Sequence, residues 1–578
     1  HAAHAIAWGE DPKYPVGFPH FDYVNPDAPR SGRLNLHGWG SFDKINPFTL
    51  KGIAVSGVET LMFETLAEAS EDEPSTMYGL LAEDIDFAPD RLSITFRLDE
   101  RARFSDGSPV QAADVRHSFE TLTGKHAHPR FRQYFNDVAR VVIVDASTVR
   151  FEFKRRNHEL HMILGTQLPV FSRKWGGGKP FDEIVQEPPI ASGPYTIEKI
   201  DWGRSAAYVR NPDWWAAGHP TRRGMFNFER IVWKYFKDDT SRLEGFKAGE
   251  FDWILETSAK SWARGHVGRR YASGDIVKRE FRHSNAAGIQ GFAMNTRRPL
   301  FKDVRVRQAL TLALDFEWMN RQMFYDQYVR SPSYFTNSVM QAEGPPSADE
   351  IDLMLSLGVP VRPEVFDEVP MPPSTLPPDS LRDNLREAVR LLADAGWTVD
   401  DRGVLRGRRG EPFEFEILTY SKSLQRLAVP WVRNLEKLGI AVRLRIADLA
   451  LYQRREDLFD FDVVIESYGA GQTPGNELTQ RFTSRAARSR GSDNLSGVRD
   501  PAVDAVIARL LQSQTRGELV TAARVLDRLL RHGWYLVPHF HAPTHRVAYW
   551  NRLAHPEKLP KYYSAETWML KTWWVARP

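Results

Sequence analysis

The chain has 578 residues, no cysteine and nearly balanced charge, with 77 Lys and Arg against 74 Asp and Glu. Without cysteine there are no disulfides, thiolate metal sites, iron–sulfur clusters or cysteine nucleophiles, and a net charge of +3 made of scattered arginines argues against a nucleic-acid partner. At 42% apolar and 26% charged residues the composition is that of folded domains, and the length suits about four units of roughly 150 residues.

Prolines at 12, 15, 19, 26 and 29 predict an extended arm at the start. Arg33 to His37 alternates as a half-buried strand does, and a loop from Gly38 to Pro47 follows. Val58 to Ala69 has helical spacing. Leu92 to Leu98 alternates strictly, Asp106-Gly107 makes a turn, and Val110 to Leu122 reads as a helix. Val141–Val144 and Thr148–Phe153 are strands about an Asp145-Ala146-Ser147 turn, and Asn157 to Leu164 is helical. Past Gly176-Gly177-Gly178, strands are expected at Tyr195–Ile200, Phe228–Phe236 and Phe251–Leu255, with a helix over Thr240–Gly249.

The pattern changes near Ile289. A buried strand, Gly291–Asn295, precedes a helix expected over Val304–Tyr325. Residues 341–380 are proline-rich and read as a surface crossing. A helix at Leu381–Ala395 stops at Gly396. Strands follow at Phe413–Leu418, Ile440–Ile446 and Phe461–Ile465, with a helix near Trp431–Leu438. Asp504–Leu530 is helical and Tyr535–Phe540 returns as a strand. Alternation of strand and helix defines a large α/β protein with two or three lobes. No apolar run approaches the ~18 residues of a membrane helix, and a start at His1 rather than Met leads to the expectation of a processed N-terminus.

Several local patterns suggest chemistry but have plainer explanations. His539-Phe540-His541 with His545 would place two imidazoles on one strand face, yet no carboxylate follows closely, so structural histidines are expected and no metal. His158 and His161 fall one residue short of the H-E-x-x-H spacing. Gly176-Gly177-Gly178-Lys179 lacks phosphate-loop spacing, and there is no G-x-S-x-G nucleophile elbow. Seventeen tryptophans and many carboxylates leave open a carbohydrate-active hydrolase or an oligosaccharide receptor.

A set of phrases in fixed order is more specific. These are Thr95–Leu98 with Phe104–Val110 and Ala113-Asp114-Val115, then Ser192-Gly193-Pro194-Tyr195 and Asn211–Trp215. Met294-Asn295-Thr296 with Pro299-Leu300-Phe301 and Asp303–Leu310 comes next, and Leu391–Trp397 closes the series. Together they resemble the extracellular solute-binding protein family 5, the dipeptide and oligopeptide receptors of ABC importers. Pro19–Pro29, Arg382–Leu385, Pro474–Glu477 and Gly491–Gly497 look like the microcin C/oligopeptide (Yej-type) branch.

The resemblance implies a type II periplasmic-binding-protein fold (cluster C), with two hinged lobes and an extra subdomain. Lobe I would comprise residues 1–58, 191–290 and 538–578, the extra subdomain 59–190, and lobe II 291–537. It further implies a periplasmic monomer, its leader removed, that captures a peptide or peptide-like ligand in the interlobe cleft and delivers it to ABC permease subunits. No cofactor and no covalent step are implied.

In the family a lobe II strand pairs with the ligand's main chain. The matching stretch is Glu466, Ser467, Tyr468, Gly469, Ala470 and Gly471, with Tyr468 expected to offer a stacking face, so that Tyr468→Ala weakens capture and leaves folding intact. An ordinary strand-end turn is the alternative. The dipeptide receptors carry an aspartate where this chain has Ala470, so a ligand ammonium would need Glu466, Glu477 or Asp43, or find no anchor. From lobe I, the loop with Trp39, Phe42, Asp43 and Asn46 is expected to face the ligand, or else to cap its own lobe. Asn295 is a candidate for ligand or structural bonds, and Arg433, near Trp431, for the cleft or a solvated face.

Overall fold

The computed structural model describes residues 3–576. The chain forms two compact units. One runs up to His283 and resumes at Thr544; the other is Ser284–Pro543.

In the first unit, Arg33–Trp39 pairs in parallel with Arg230–Phe236, and Ser205–Arg210 and Tyr195–Asp201 continue the sheet antiparallel. A second sheet is antiparallel throughout, in the order Ala82–Phe87, Ser93–Leu98, Thr148–Phe153, Val138–Asp145. Alternation there has its usual cause: Ile94, Phe96 and Leu98 point inward, and Ile94 and Phe96 oppose Phe151 and Val149 on the next strand. The returning segment Thr544–Trp550 inserts between Trp253–Leu255 and Ile276–Arg282. That insertion ties the C-terminal stretch to this unit. Trp568 and Trp573, both fully buried, then pack against Phe281. The proline-rich N-terminal arm is anchored by aromatic contacts, with Tyr14, Phe18 and Phe21 around Tyr78.

The second unit is built on a five-stranded sheet, ordered Ala441–Ile446, Glu414–Thr419, Val463–Tyr468, Ile289–Met294, Leu536–Pro538. The first three strands are mutually parallel, and Ile289–Met294 runs antiparallel to both its neighbours. The helix Lys422–Lys437 makes the crossover between Glu414–Thr419 and Ala441–Ile446, as a parallel pair requires. Its Trp431 lies flat on Phe292, with ring centroids 4.6 Å apart, and its indole N–H donates to the Leu310 carbonyl at 2.8 Å. A fully buried Trp needs such an acceptor.

Three expected helices are shorter or divided. Val58–Ala69 is helical only over Val58–Met62; Phe63 is extended and Ala67–Ala69 pairs with Thr76–Gly79. Ladder pairing and burial of Glu64 beneath the Trp214 and Trp215 indoles override the helical spacing. Val304–Tyr325 divides into Val304–Leu312 and Phe316–Met323, because Asp315 caps a new helix by accepting from the Trp318 N–H at 3.1 Å. Asp504–Leu530 likewise divides into Pro501–Leu511 and Arg516–His532, with Thr515 as the second cap. The expected strand Tyr535–Phe540 supplies two sheets: Leu536–Pro538 edges the large sheet, and Phe540–His541 pairs with Val329–Arg330.

Candidate functional site

The Val463–Tyr468 strand pairs with Ile289–Met294 at all six positions, from Met294 opposite Val463 to Ile289 opposite Tyr468. On its other side the ladder to Glu414–Thr419 covers only Val463 and Val464. The remainder of a central strand is therefore open on one side. The Asn295 N–H donates to the Asp462 carbonyl at 2.9 Å, which fixes the alternation: even-numbered residues of this strand bond to the Ile289–Met294 side. Ser467 turns its main chain to the open side. It is exposed, and its N–H is met by its neighbour's carboxylate, Glu466 Oε1, at 2.8 Å.

Glu466 is half-buried, and its carboxyl is pushed up to about 8 by burial first and then by the charge of Glu456, with Asp493 adding to it. Glu456 is raised as well, again chiefly by burial. A half-buried carboxyl group thus stands beside an unpaired strand edge, surrounded by acidic neighbours. A cation placed there would lower the cost of ionising it.

The segment after the strand is held by residues that sequence reading missed. Arg481 donates to the Gly469 carbonyl at 2.7 Å and lies over the Tyr468 ring, 5.3 Å from its centroid. Gly288 has φ +62°, and a Cβ there would stand 2.0 Å from the Tyr468 carbonyl oxygen. Neither residue carries a motif. Arg481 lies twelve residues beyond the carbonyl it holds, and a lone glycine has no signature, so only the folded chain exposes these roles.

Tyr468 does not present a stacking face. It is 5% exposed, its ring sits edge-on to Phe482 at 5.2 Å, and its hydroxyl donates to the Asp493 carbonyl. Glu477 is spent on a turn, both its oxygens accepting from the Gly475 N–H at 3.0 and 3.1 Å. Gly469 and Gly471 are exposed and Ala470 is half-buried.

Asn295 is fully buried and committed to structure. Its amide donates to the Phe461 and Phe459 carbonyls at 2.8 and 3.1 Å, and its oxygen accepts from Arg297. Arg433 is exposed on the outer face of the Lys422–Lys437 helix, whose Ala428, Trp431 and Leu435 face the core.

In the first unit, the Trp39–Pro47 loop is largely self-satisfied. Phe42 is buried against Tyr235 and Trp202. Asn46 is fully buried, donates to the Ile184 carbonyl at 3.0 Å and accepts from the Phe48 N–H at 3.0 Å. Asp43 accepts from the Ile53 N–H at 2.7 Å. These three side chains hold the loop, which removes Phe42 and Asn46 as ligand-packing groups. Trp39 is open, 52% exposed, with the Arg242 guanidinium 5.2 Å from its ring centroid, and Asp43 is exposed as well.

The histidines noted in the sequence meet protein partners one by one. His539 Nδ1 bonds to the Gln290 amide at 2.9 Å, His541 Nδ1 to the Ser331 hydroxyl at 3.1 Å, and His545 Nε2 to the Tyr563 carbonyl at 3.0 Å. His161 stacks on Phe87 at 4.5 Å.

Comparison with known families places this architecture. The family model "Bacterial extracellular solute-binding proteins, family 5 Middle" matches residues 76–489, and the chain belongs to that family. The probable peptide-binding protein YejA of Agrobacterium fabrum is 37% identical over 559 residues, covering 95% of this chain and 91% of the relative. The peptidoglycan-binding protein YepA of the same organism is 34% identical over 592 residues, covering 99% and 95%. The oligopeptide-binding protein AppA of Bacillus subtilis, solved with a nonapeptide, shares the fold at TM-score 0.60 and 19% identity, covering 95% of this chain and all of that one. Among the described residues no helix is long and apolar enough to cross a membrane.

Proposed function

We propose that this chain is the periplasmic substrate-binding component of an ABC importer, a monomer that captures peptides or peptide-like compounds and passes them unaltered to permease subunits. The observation that carries the reading is the open side of the Val463–Tyr468 strand at Ser467. A peptide adding there would gain main-chain hydrogen bonds that do not depend on its side chains, which suits a receptor for many sequences. Family membership and the peptide-binding relative support the same substrate class.

Glu466 is the candidate partner for a ligand ammonium, in place of the aspartate that dipeptide receptors carry where Ala470 stands. An ammonium seated against it would draw its carboxyl into the charged form, so binding would release a proton near neutral pH. Trp39, Asp43, Glu477 and Arg433 stay in the proposal as peripheral contacts only.

The peptidoglycan-binding relative favours a narrower version, in which the peptide belongs to a cell-wall fragment. The lobe allotment drawn from the resemblance and the closing of two hinged lobes on the ligand belong to the same proposal; the chain passes between its two units only at His283–Ser284 and Pro543–Thr544.

The test is mass spectrometry of small molecules released from denatured purified protein, followed by calorimetry with the compounds found. Stoichiometric capture of an unmodified peptide supports the reading. A turned-over product or a peptide-free sugar ligand contradicts it.

A further inference from the structure

At the far end of the Ile289–Met294 strand from Tyr468, the chain runs on through Asn295, Thr296 and Arg297. The Ile289–Met294 strand itself spans roughly 17 Å at about 3.4 Å per residue step, so this end lies well away from Tyr468. Here the second unit holds a cavity of about 370 Å³, lined by Arg297, Lys302, Arg307 and Arg499 with Thr296 and Tyr535. Ligand pockets start at about this size. No carboxylate lines it.

The four positive charges are not cancelled by their own partners. Arg297 is saturated with neutral oxygens: the carbonyls of Ala487, Asn494 and Leu495 and the side-chain oxygen of Asn295. Arg307 is 6% exposed and donates through Nε to the Gly533 carbonyl and through Nη1 to the Phe301 and Lys302 carbonyls; its Nη2 meets no acceptor among the described residues. Lys302 and Arg499 are exposed and form no ion pair among the described residues. The two carboxylates next in the chain to Lys302 and Arg499 have partners of their own. Asp303 takes both the Nε and Nη2 of Arg305, and Asp500 caps the Pro501–Leu511 helix. Burial first, and then the charge of Arg499, push Arg297 down to about 10.

We propose that this pocket binds a phosphate-type oxyanion, as a free phosphoryl compound or as a phospholipid headgroup. The buried Arg307 guanidinium, held in fixed orientation with its Nη2 uncommitted, suits an oxygen of a phosphoryl group; Arg297, its five N–H groups already engaged, contributes charge alone, and Lys302 and Arg499 at the mouth add charge without needing fixed geometry. The site is separate from the Ser467 edge and does not depend on peptide capture.

Calorimetry with inorganic pyrophosphate on the full chain tests it. Binding in the sub-millimolar range that weakens with added salt is expected. In the Lys302→Ala/Arg499→Ala double variant it falls at least tenfold while the melting temperature stays unchanged, since neither side chain is buried or bonded. Co-sedimentation with phosphatidylglycerol vesicles, against phosphatidylcholine controls, separates the sources. Vesicle binding displaced by pyrophosphate identifies a headgroup, and pyrophosphate binding without vesicle binding identifies a soluble ester. No heat with millimolar pyrophosphate, or equal affinity in the double variant, overturns the proposal. Ser467→Pro keeps pyrophosphate affinity, so failure here is distinguishable from failure of the peptide reading.

Discussion

Arg481 and Gly469 are joined by a 2.7 Å hydrogen bond from guanidinium to main-chain carbonyl, and the same guanidinium covers the Tyr468 ring. One side chain thus fixes both the last residue of the open strand and the first residue after it. Removing it in Arg481→Ala frees the carbonyl and uncovers the ring. Ligand affinity is expected to fall several-fold and the melting temperature by a few degrees. Arg481→Lys keeps the charge but loses the planar group, and should fall between the two. Paired calorimetry and thermal melts check this.

Tyr468 is a stability residue. Its ring is enclosed and its hydroxyl is bonded to Asp493, so Tyr468→Ala should destabilise the second unit by about 3 kcal/mol or more, as aromatic truncations in cores do. Tyr468→Phe removes one hydrogen bond and costs about 1 kcal/mol. Denaturant unfolding measures both. A Tyr468→Ala protein of wild-type stability with tenfold weaker capture would restore the stacking role first expected from the sequence.

The Glu466 carboxyl keeps its proton to about pH 8 in the folded protein, against an ordinary value of 4.5. The folded state therefore binds the extra proton between those limits, and stability falls as pH rises through them. Glu466→Gln removes that dependence while keeping an oxygen for the Ser467 N–H. The variant should melt above the wild type at pH 8, with the difference shrinking toward pH 5. Melts across that range decide it; a difference that grows on acidification contradicts the assignment.

Gly288 requires the absence of a side chain. Its φ is positive and a Cβ would press on the Tyr468 carbonyl. Gly288→Ala is expected to cost more than about 1 kcal/mol and to weaken ligand binding by shifting the Tyr468–Ala470 main chain. A fully stable variant with unchanged affinity would contradict this.

Local regularity made much of the fold legible in the sequence. Strict alternation at Ser93–Leu98 and Thr148–Phe153 gives the correct strands, because each strand buries one face. The Leu381–Asp394 helix follows from its own spacing and Gly396. Where local or tertiary contacts compete, the sequence misleads: Ala67–Ala69 has helical spacing but gains a ladder, and Asp315 begins a new helix inside a stretch that reads as one. The site shows the same division. The Glu466–Gly471 segment is singled out by the family resemblance, but the orientation of Tyr468, the commitment of Asn295 and Asn46 to buried carbonyls, and the clamps of Arg481 and Gly288 depend on residues distant in the chain.

The most direct test of the account is calorimetry on Ser467→Pro with the compound released from the purified wild-type protein. Proline removes the N–H that faces the open side and leaves the ladder to Ile289–Met294 intact. The account predicts a folded variant whose melting temperature falls by no more than a few degrees, from loss of the Glu466 contact to that N–H, with at least tenfold weaker binding and a ligand recovered chemically intact. Wild-type affinity in the stable variant would contradict it.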